Sequence, residues 1–309
     1  MRHRTTLWIV AAILALAGAA ILSVVDVHRH RFVRSSIDLV KQLPPGDFTR
    51  FYADLDALRK AGLLHLLTGA SPVQEKDYQA FVRQTQFDYT RDLDAIAGAS
   101  DGEQLFFLIR GRFEWDKFKQ YAAARGGTCR SQSCAVPISK PGYWASLVRL
   151  QPGVAGLAIS AHSAAADTLR REARQPEEAD EAAPSNPVWV KVSKRLLTKP
   201  EALPLAMRIL AISLQSADRV ILSLGPAVGQ EAAFSVELEA DFPIEPGAET
   251  ARAQLEIETK MLKLGLQRAH REPDAADLTG LLTAGTFQRV RKRVTGRWPV
   301  RRELLKTLE

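Results

Sequence analysis

Cysteine is nearly missing from this sequence: a chain of 309 residues carries only Cys129 and Cys134. That excludes a disulfide-scaffolded domain, in which several bridges stand in for a core. With no third cysteine and no histidine beside the pair, a zinc site there is not expected. The six histidines are dispersed, and no group of His, Cys, Asp and Glu has metal-ligand spacing. Neither a metal nor a cofactor is therefore expected. The sequence also lacks a glycine-rich phosphate loop and repeated aromatic platforms for stacking bases, so nucleic acid is not an expected partner. With 46% hydrophobic and 25% charged residues the chain is nonetheless a folding one, long enough for one large or two ordinary domains.

Positive charge is abundant but local. The formal charge is +7, and residues 288–309 alone hold eight basic residues against Glu303 and Glu309. The remaining 287 residues are close to neutral, so the basic character describes one terminus and not a whole surface. Arg289, Arg291, Lys292, Arg293, Arg297, Arg301 and Arg302 form the candidate patch for an anionic partner, either lipid headgroups or an envelope polymer. The competing reading of Phe287-Gln-Arg-Val-Arg-Lys-Arg-Val294 is an edge strand whose charges discourage edge-to-edge pairing.

The longest apolar run, Leu7–Val25, has only Gly18 and Ser23 as non-apolar members. As a helix it spans roughly the ~30 Å hydrocarbon core, which predicts a single transmembrane helix. Arg2 and Arg4 with Leu16-Ala17-Gly18-Ala19 also satisfy a cleavable signal, although cleavage there would expose Ile21–Val25. No cysteine accompanies the run, which excludes a lipid-modified terminus. Lysine and arginine counts favour a cytoplasmic domain: Arg2 and Arg4 precede the run, and Arg29, Arg31, Arg34 and Lys41 follow it. The cysteines argue the other way. Cys129 and Cys134 bracket four residues centred on Ser-Gln-Ser, which suits a tight hairpin with a disulfide between facing positions. Such a pair belongs in an oxidising compartment, so the large domain is expected outside the cytoplasmic membrane.

Periodicity indicates three hairpin-plus-helix units. The first pairs Ala95–Ser100 with Gln104–Arg110 through Asp101-Gly102, and a helix follows from Glu114. The second pairs Tyr143–Leu150 with Val154–Ser160 ahead of a helix near Ser163–Arg174, and the third pairs Arg219–Leu224 with Ala233–Asp241. The helix after the third, about Glu249–Gln267, is the longest, with Leu255, Ile257, Met261, Leu262, Leu264 and Leu266 as one broad apolar face. This order predicts an α+β fold of antiparallel sheet covered by helices, and it resembles ferredoxin-like modules in element order alone. Residues 174–187, acidic and rich in Pro and Ala, read as a linker. The expected organisation is an anchor and juxtamembrane segment (1–34), an α+β domain (35–174), a linker (175–187) and a second α+β domain (188–309).

Three local patterns invite chemical readings. Arg110-Gly111-Arg112 has the outline of an anion-binding turn, but one glycine followed by Phe113 cannot close backbone amides on a phosphate. Gly296-Arg297-Trp298 repeats it, with Pro299 as a helix start, so both read as strand-to-helix corners. Gly98-Ala-Ser100-Asp-Gly102 matches a hydrolase nucleophile elbow, with His162 or His270 as its base. That chemistry needs a helix after the serine, whereas a second strand is predicted, so a hairpin turn is expected. Asp88, Asp92 and Asp94 read as capping carboxylates and not as a calcium loop, which would require further oxygen ligands and a glycine. The function these observations point to is a non-catalytic, membrane-anchored interaction protein of the cell envelope. Its rivals are an exported serine hydrolase using Ser100 and a cytoplasm-facing domain docked on anionic lipid.

Overall fold

A computed structural model describes residues 39–61, 64, 76–170, 184–199, 201, 205–227, 234–301 and 303–304. The expected membrane segment and most of the expected linker lie outside the described residues. Among those described, no helix is long and apolar enough to cross a membrane. The protein is α+β, with antiparallel sheet and covering helices, and its described residues divide into two compact units.

The first unit falls within Asp26–Lys60 and Ala70–Ser185. Its strands are β1 (Thr49–Asp54), β2 (Leu93–Ser100), β3 (Leu105–Gly111), β4 (Thr128–Arg130), β5 (Ser133–Pro137), β6 (Trp144–Gln151) and β7 (Val154–Ser160). They lie in the order β1-β2-β3-β7-β6-β5-β4, every pairing antiparallel. The β2–β3 turn forms where predicted: Asp101 Oδ1 accepts from the backbone N–H of Glu103 (2.9 Å) and Gln104 (2.7 Å). Gly102 takes φ +92°, a conformation closed to most residues with a Cβ. Ala95, Ala97 and Ala99, at alternate positions of β2, are fully buried.

Helices α1 (Leu55–Lys60), α2 (Lys76–Thr85), α3 (Tyr89–Asp92) and α4 (Trp115–Ala124) complete this unit. Helices α2 and α4 meet through edge-to-face aromatics, with Phe81 5.8 Å from Phe118 and 5.1 Å from Tyr121. The helix expected after β7 is a single 3₁₀ segment, Ala165–Arg170. Ser146 Oγ holds it by accepting from Ala166 N at 3.0 Å.

The second unit is principally Asn186–Glu309. Strands β8 (Val188–Val192), β9 (Arg219–Pro226), β10 (Phe234–Asp241), β11 (Thr286–Val290) and β12 (Arg293–Val300) lie in the order β8-β9-β10-β12-β11. Helices α5 (Lys194–Thr198), α6 (Leu205–Leu214), α7 (Glu245–Arg268) and α8 (Leu278–Thr283) accompany them. One sheet face supplies Val220, Leu238, Ala240, Val294 and Trp298 to a core that the helices close with Leu197, Leu214, Ala251 and Leu255. Helix α7 starts with Pro246 in its first turn, where the missing N–H costs nothing.

Three readings change here. Gly296 lies inside β12, opposite Leu238, and Pro299 is a strand residue, so the second corner does not exist. Trp298 packs edge-on to Phe287, with centroids 5.3 Å apart. The basic run is not one edge strand but a hairpin turning at Arg291-Lys292, with Arg291 at φ +54°. The apolar residues of α7 do not share a face: Leu255 and Leu266 are buried, while Ile257, Met261 and Leu264 are exposed.

Candidate interaction surface

The polar face of the second unit's sheet follows from strand alternation. With Leu238 and Ala240 turned into the core, Glu237, Glu239 and Asp241 of β10 must point the other way. Register places Asp241 between Arg219 of β9 and Arg293 of β12, and Glu237 opposite Arg297. Arg293 Nε donates to Asp241 Oδ1 at 2.6 Å and its Nη1 reaches Glu239 Oε1 at 3.1 Å. Arg219 Nε donates to Asp241 Oδ2 at 2.8 Å, and its Nη2 also engages Glu239. Arg297 Nη2 donates to Glu237 Oε1 at 3.1 Å, while Asn186 Nδ2 donates to Glu237 Oε2 at 3.2 Å and Ser223 Oγ at 2.8 Å. Burial alone would raise the Asp241 pKa, but the hydrogen bonds from Arg293 and Arg219 outweigh it and hold the carboxyl below its usual range.

Arg289, on β11, is bound from a helix. Its Nε donates to Glu249 Oε2 at 2.9 Å and its Nη1 lies 3.6 Å from Glu245 Oε2, both on α7. Thus Arg289, Arg293 and Arg297 of the candidate patch face carboxylates. Arg291, Lys292 and Arg301 form no ion pair among the described residues, and Arg302 lies outside them.

Charge on α7 is arranged differently. Three of its four acidic residues sit in the first half and are engaged in ion pairs: Glu249 and Glu256 by Arg252, Glu249 and Glu245 by Arg289. Glu258 faces α6, where its Oε1 accepts from Ser213 Oγ at 2.5 Å. Lys260, Lys263 and Arg268 in the second half form no ion pair among the described residues. Beside Lys260 and Lys263, and one turn before Arg268, runs the exposed apolar line: Ile257 is 59% exposed, Met261 57% and Leu264 36%. The spacings of four and three residues put the three on one side of the helix, roughly half a turn from Leu255, Leu262 and Leu266. Sequence reasoning merged the two sets. The signal that separates them was present, since Ile257 and Leu255 differ by two positions, or about 200° around a helix.

The remaining candidates occupy structural positions. Cys129 and Cys134 are direct partners across β4 and β5 and form a disulfide, with Cα atoms 4.0 Å apart. Ser100 closes β2, and its Oγ accepts from Gly102 N at 3.2 Å. No imidazole or carboxylate contacts that hydroxyl among the described residues. Gly111 ends β3 where a Cβ would stand 2.2 Å from the Asp92 carbonyl oxygen, and Arg112 N donates to that oxygen at 2.8 Å. The Arg110–Arg112 corner is therefore shaped by close backbone approach, and Arg112 Nε lies 3.7 Å from Asp92 Oδ1. Asp88 caps α3, accepting from Thr90 N at 2.9 Å, and Asp92 Oδ2 accepts from Asp88 N at 2.9 Å. No group of three or more metal-ligating side chains is assembled among the described residues.

No protein-family model matches the chain, and no curated protein matches its sequence. Among solved structures, the chain is similar to crystal form III of TP0453, with 11% identity over 89% of this chain and 98% of that one, at a TM-score of 0.48. It is also similar to crystal form I of TP0453, with 12% identity over 89% of this chain and 97% of that one, at a TM-score of 0.44. Likeness at this level carries no statement about activity or ligand.

Proposed function

We propose that this protein is a single-pass, membrane-anchored interaction protein of the cell envelope, its large domain extracytoplasmic and not catalytic. The observation that carries the reading is the Cys129–Cys134 disulfide. Both cysteines of the chain are spent on one cross-strand bridge in a three-residue strand, β4, whose residues are all exposed. Its Cys129 half is exposed while Cys134 is buried beside Trp115, and a cross-strand bridge of this kind belongs to oxidising surroundings. The apolar run Leu7–Val25 supplies the anchor in this reading, and the two α+β units supply the interaction surface. An anionic partner, lipid or envelope polymer, is the class favoured by basic residues that carry no carboxylate partner in the described structure.

Fusions at the C-terminus test the topology. Alkaline phosphatase, which needs its own disulfides, is expected to be active there, and β-galactosidase inactive. The reverse pattern returns the cytoplasm-facing alternative. Ser100→Ala, assayed on a panel of esters, tests the hydrolase alternative: an activity lost in that variant would establish catalysis.

A further inference from the structure

Large apolar side chains exposed on a helix cost solubility and are usually scattered singly. Helix α7 instead lines up Ile257, Met261 and Leu264 at positions i, i+4 and i+7, all exposed. The helix does not need them to fold onto its sheet, because Ala248, Ala251, Leu255 and Leu266 already fill that contact. Its two ends differ in available charge. The acidic first half is tied to Arg252 and Arg289, whereas Lys260, Lys263 and Arg268 stand beside or one turn beyond the apolar line with no carboxylate partner among the described residues.

An apolar line bordered by free cations complements an anionic amphipathic surface. Its apolar side chains enter the boundary between headgroups and acyl chains, while the long lysine and arginine stems keep their charges at headgroup level. A second copy of the chain fits less well. Antiparallel pairing centred on Met261 would bring Lys260 of each copy toward the other at the middle of the contact, with like charges opposed.

We propose that α7 is a bilayer-docking helix, laying Ile257, Met261 and Leu264 into a membrane whose anionic headgroups are taken by Lys260, Lys263 and Arg268. The inference rests on the anchored reading given above, since an anchor keeps the domain beside a membrane surface. It moves the contact with lipid from the C-terminal arginines to the long helix.

The test uses the full chain with Ile257→Cys, labelled with a small polarity-sensitive fluorophore while the native disulfide stays oxidised. The chain is mixed with neutral vesicles or with vesicles containing phosphatidylglycerol, floated, and probed with lipids brominated along their acyl chains. The expected result is a blue shift and bromine quenching in anionic vesicles, and little of either in neutral ones. Lys260→Ser, Lys263→Ser and Arg268→Ser together should lower the ratio of docked to undocked helix by about 100-fold, at ~1 kcal/mol per basic residue and ~1.4 kcal/mol per tenfold. Far-UV circular dichroism and melting should be unchanged in that variant. Flotation with an unquenched, water-exposed label in both vesicle types overturns the docking helix and leaves the anchor standing. Flotation with anionic vesicles alone, with quenching, keeps the docking helix and sinks the anchor. No flotation with either overturns both. A label shielded in proportion to protein concentration, whatever the lipid, assigns the face to a second copy and overturns the proposal.

Discussion

Two regions of the second unit are rich in cations, and they are built in opposite ways. On β12 the arginines alternate with core residues and so fall in register with the carboxylates of β10, while Arg289 of β11, on the same side as Phe287, reaches those of α7. Their charge is largely spent inside the fold. On the second half of α7 the cations form no ion pair among the described residues, Glu256 on the same face being taken by Arg252, and they adjoin exposed apolar side chains. Three arginines of the C-terminal run, Arg289, Arg293 and Arg297, are thus taken by carboxylates of the fold, which leaves Arg291, Lys292 and Arg301 there and Lys260, Lys263 and Arg268 on α7 without an ion pair among the described residues. A charge count along a sequence measures supply, whereas only pairing decides what remains available.

The two faces of α7 give the largest expected effect. Leu255→Ala, at a site 1% exposed, should cost about 2–5 kcal/mol through lost transfer and a residual cavity. Ile257→Ser, two positions away, should change stability by no more than about 0.5 kcal/mol. Chemical denaturation of the two variants checks this, and comparable losses would mean that the exposed line is packed in solution.

Next in size is the keystone of the ladder. Asp241→Ala removes one of two carboxylates from Arg219, whose side chain is only 13% exposed, and should cost about 1–3 kcal/mol. Arg297, 51% exposed, should lose only about 0.2–1 kcal/mol on Arg297→Ser, an effect that high salt erases. Lys263→Ser should leave stability unchanged within about 0.5 kcal/mol. A loss at Lys263 matching that at Arg297 would erase the distinction between spent and available cations.

The pH dependence separates the regions by sign. Asp241 titrates below its usual range in the fold, so its contribution is present above the unfolded pKa and lost as pH falls through the folded one. Asp241→Asn should therefore flatten the acid limb of the stability curve. Glu258 is shifted the other way: burial raises its pKa, only partly offset by Ser213, and its Oε2 is buried without a hydrogen bond among the described residues. Its contribution is full below the ordinary value of 4.5 and lost as pH rises through the folded pKa. Glu258→Gln should stabilise the α6–α7 contact at neutral pH and leave the acid limb unaltered. Equilibrium unfolding across pH 2.5 to about 8 reads both.

The last comparison concerns the disulfide and expects no effect on α7. Reducing Cys129–Cys134 releases a loop so short that chain-entropy arguments assign it only about 2 kcal/mol. The melting point of the α7 variants relative to the parent should be the same with the bridge open or closed, since the bridge lies in the first unit.

Residue pattern by itself determined much of the local structure. Asp101-Gly102 specifies a two-strand turn because aspartate accepts the turn amides and glycine allows positive φ, and the turn forms there. Alternation from Arg219 to Asp241 specifies a hairpin with one apolar face, and four residues between two cysteines specify a bridge between facing strand positions. Tertiary structure decided the rest. Gly296-Arg-Trp-Pro299 carries no local signal separating a corner from a strand, and Trp298 settled it by packing on Phe287 within β12. Residues 255–266 contain enough apolar side chains for one wide face or two narrow ones, and only the sheet beneath α7 selected Leu255 and Leu266 and left Ile257, Met261 and Leu264 outside. Which arginines remain available was likewise undetermined along the chain. Arg293 and Asp241 are 52 residues apart, and an ion pair at that separation exists only once β10 and β12 are in register.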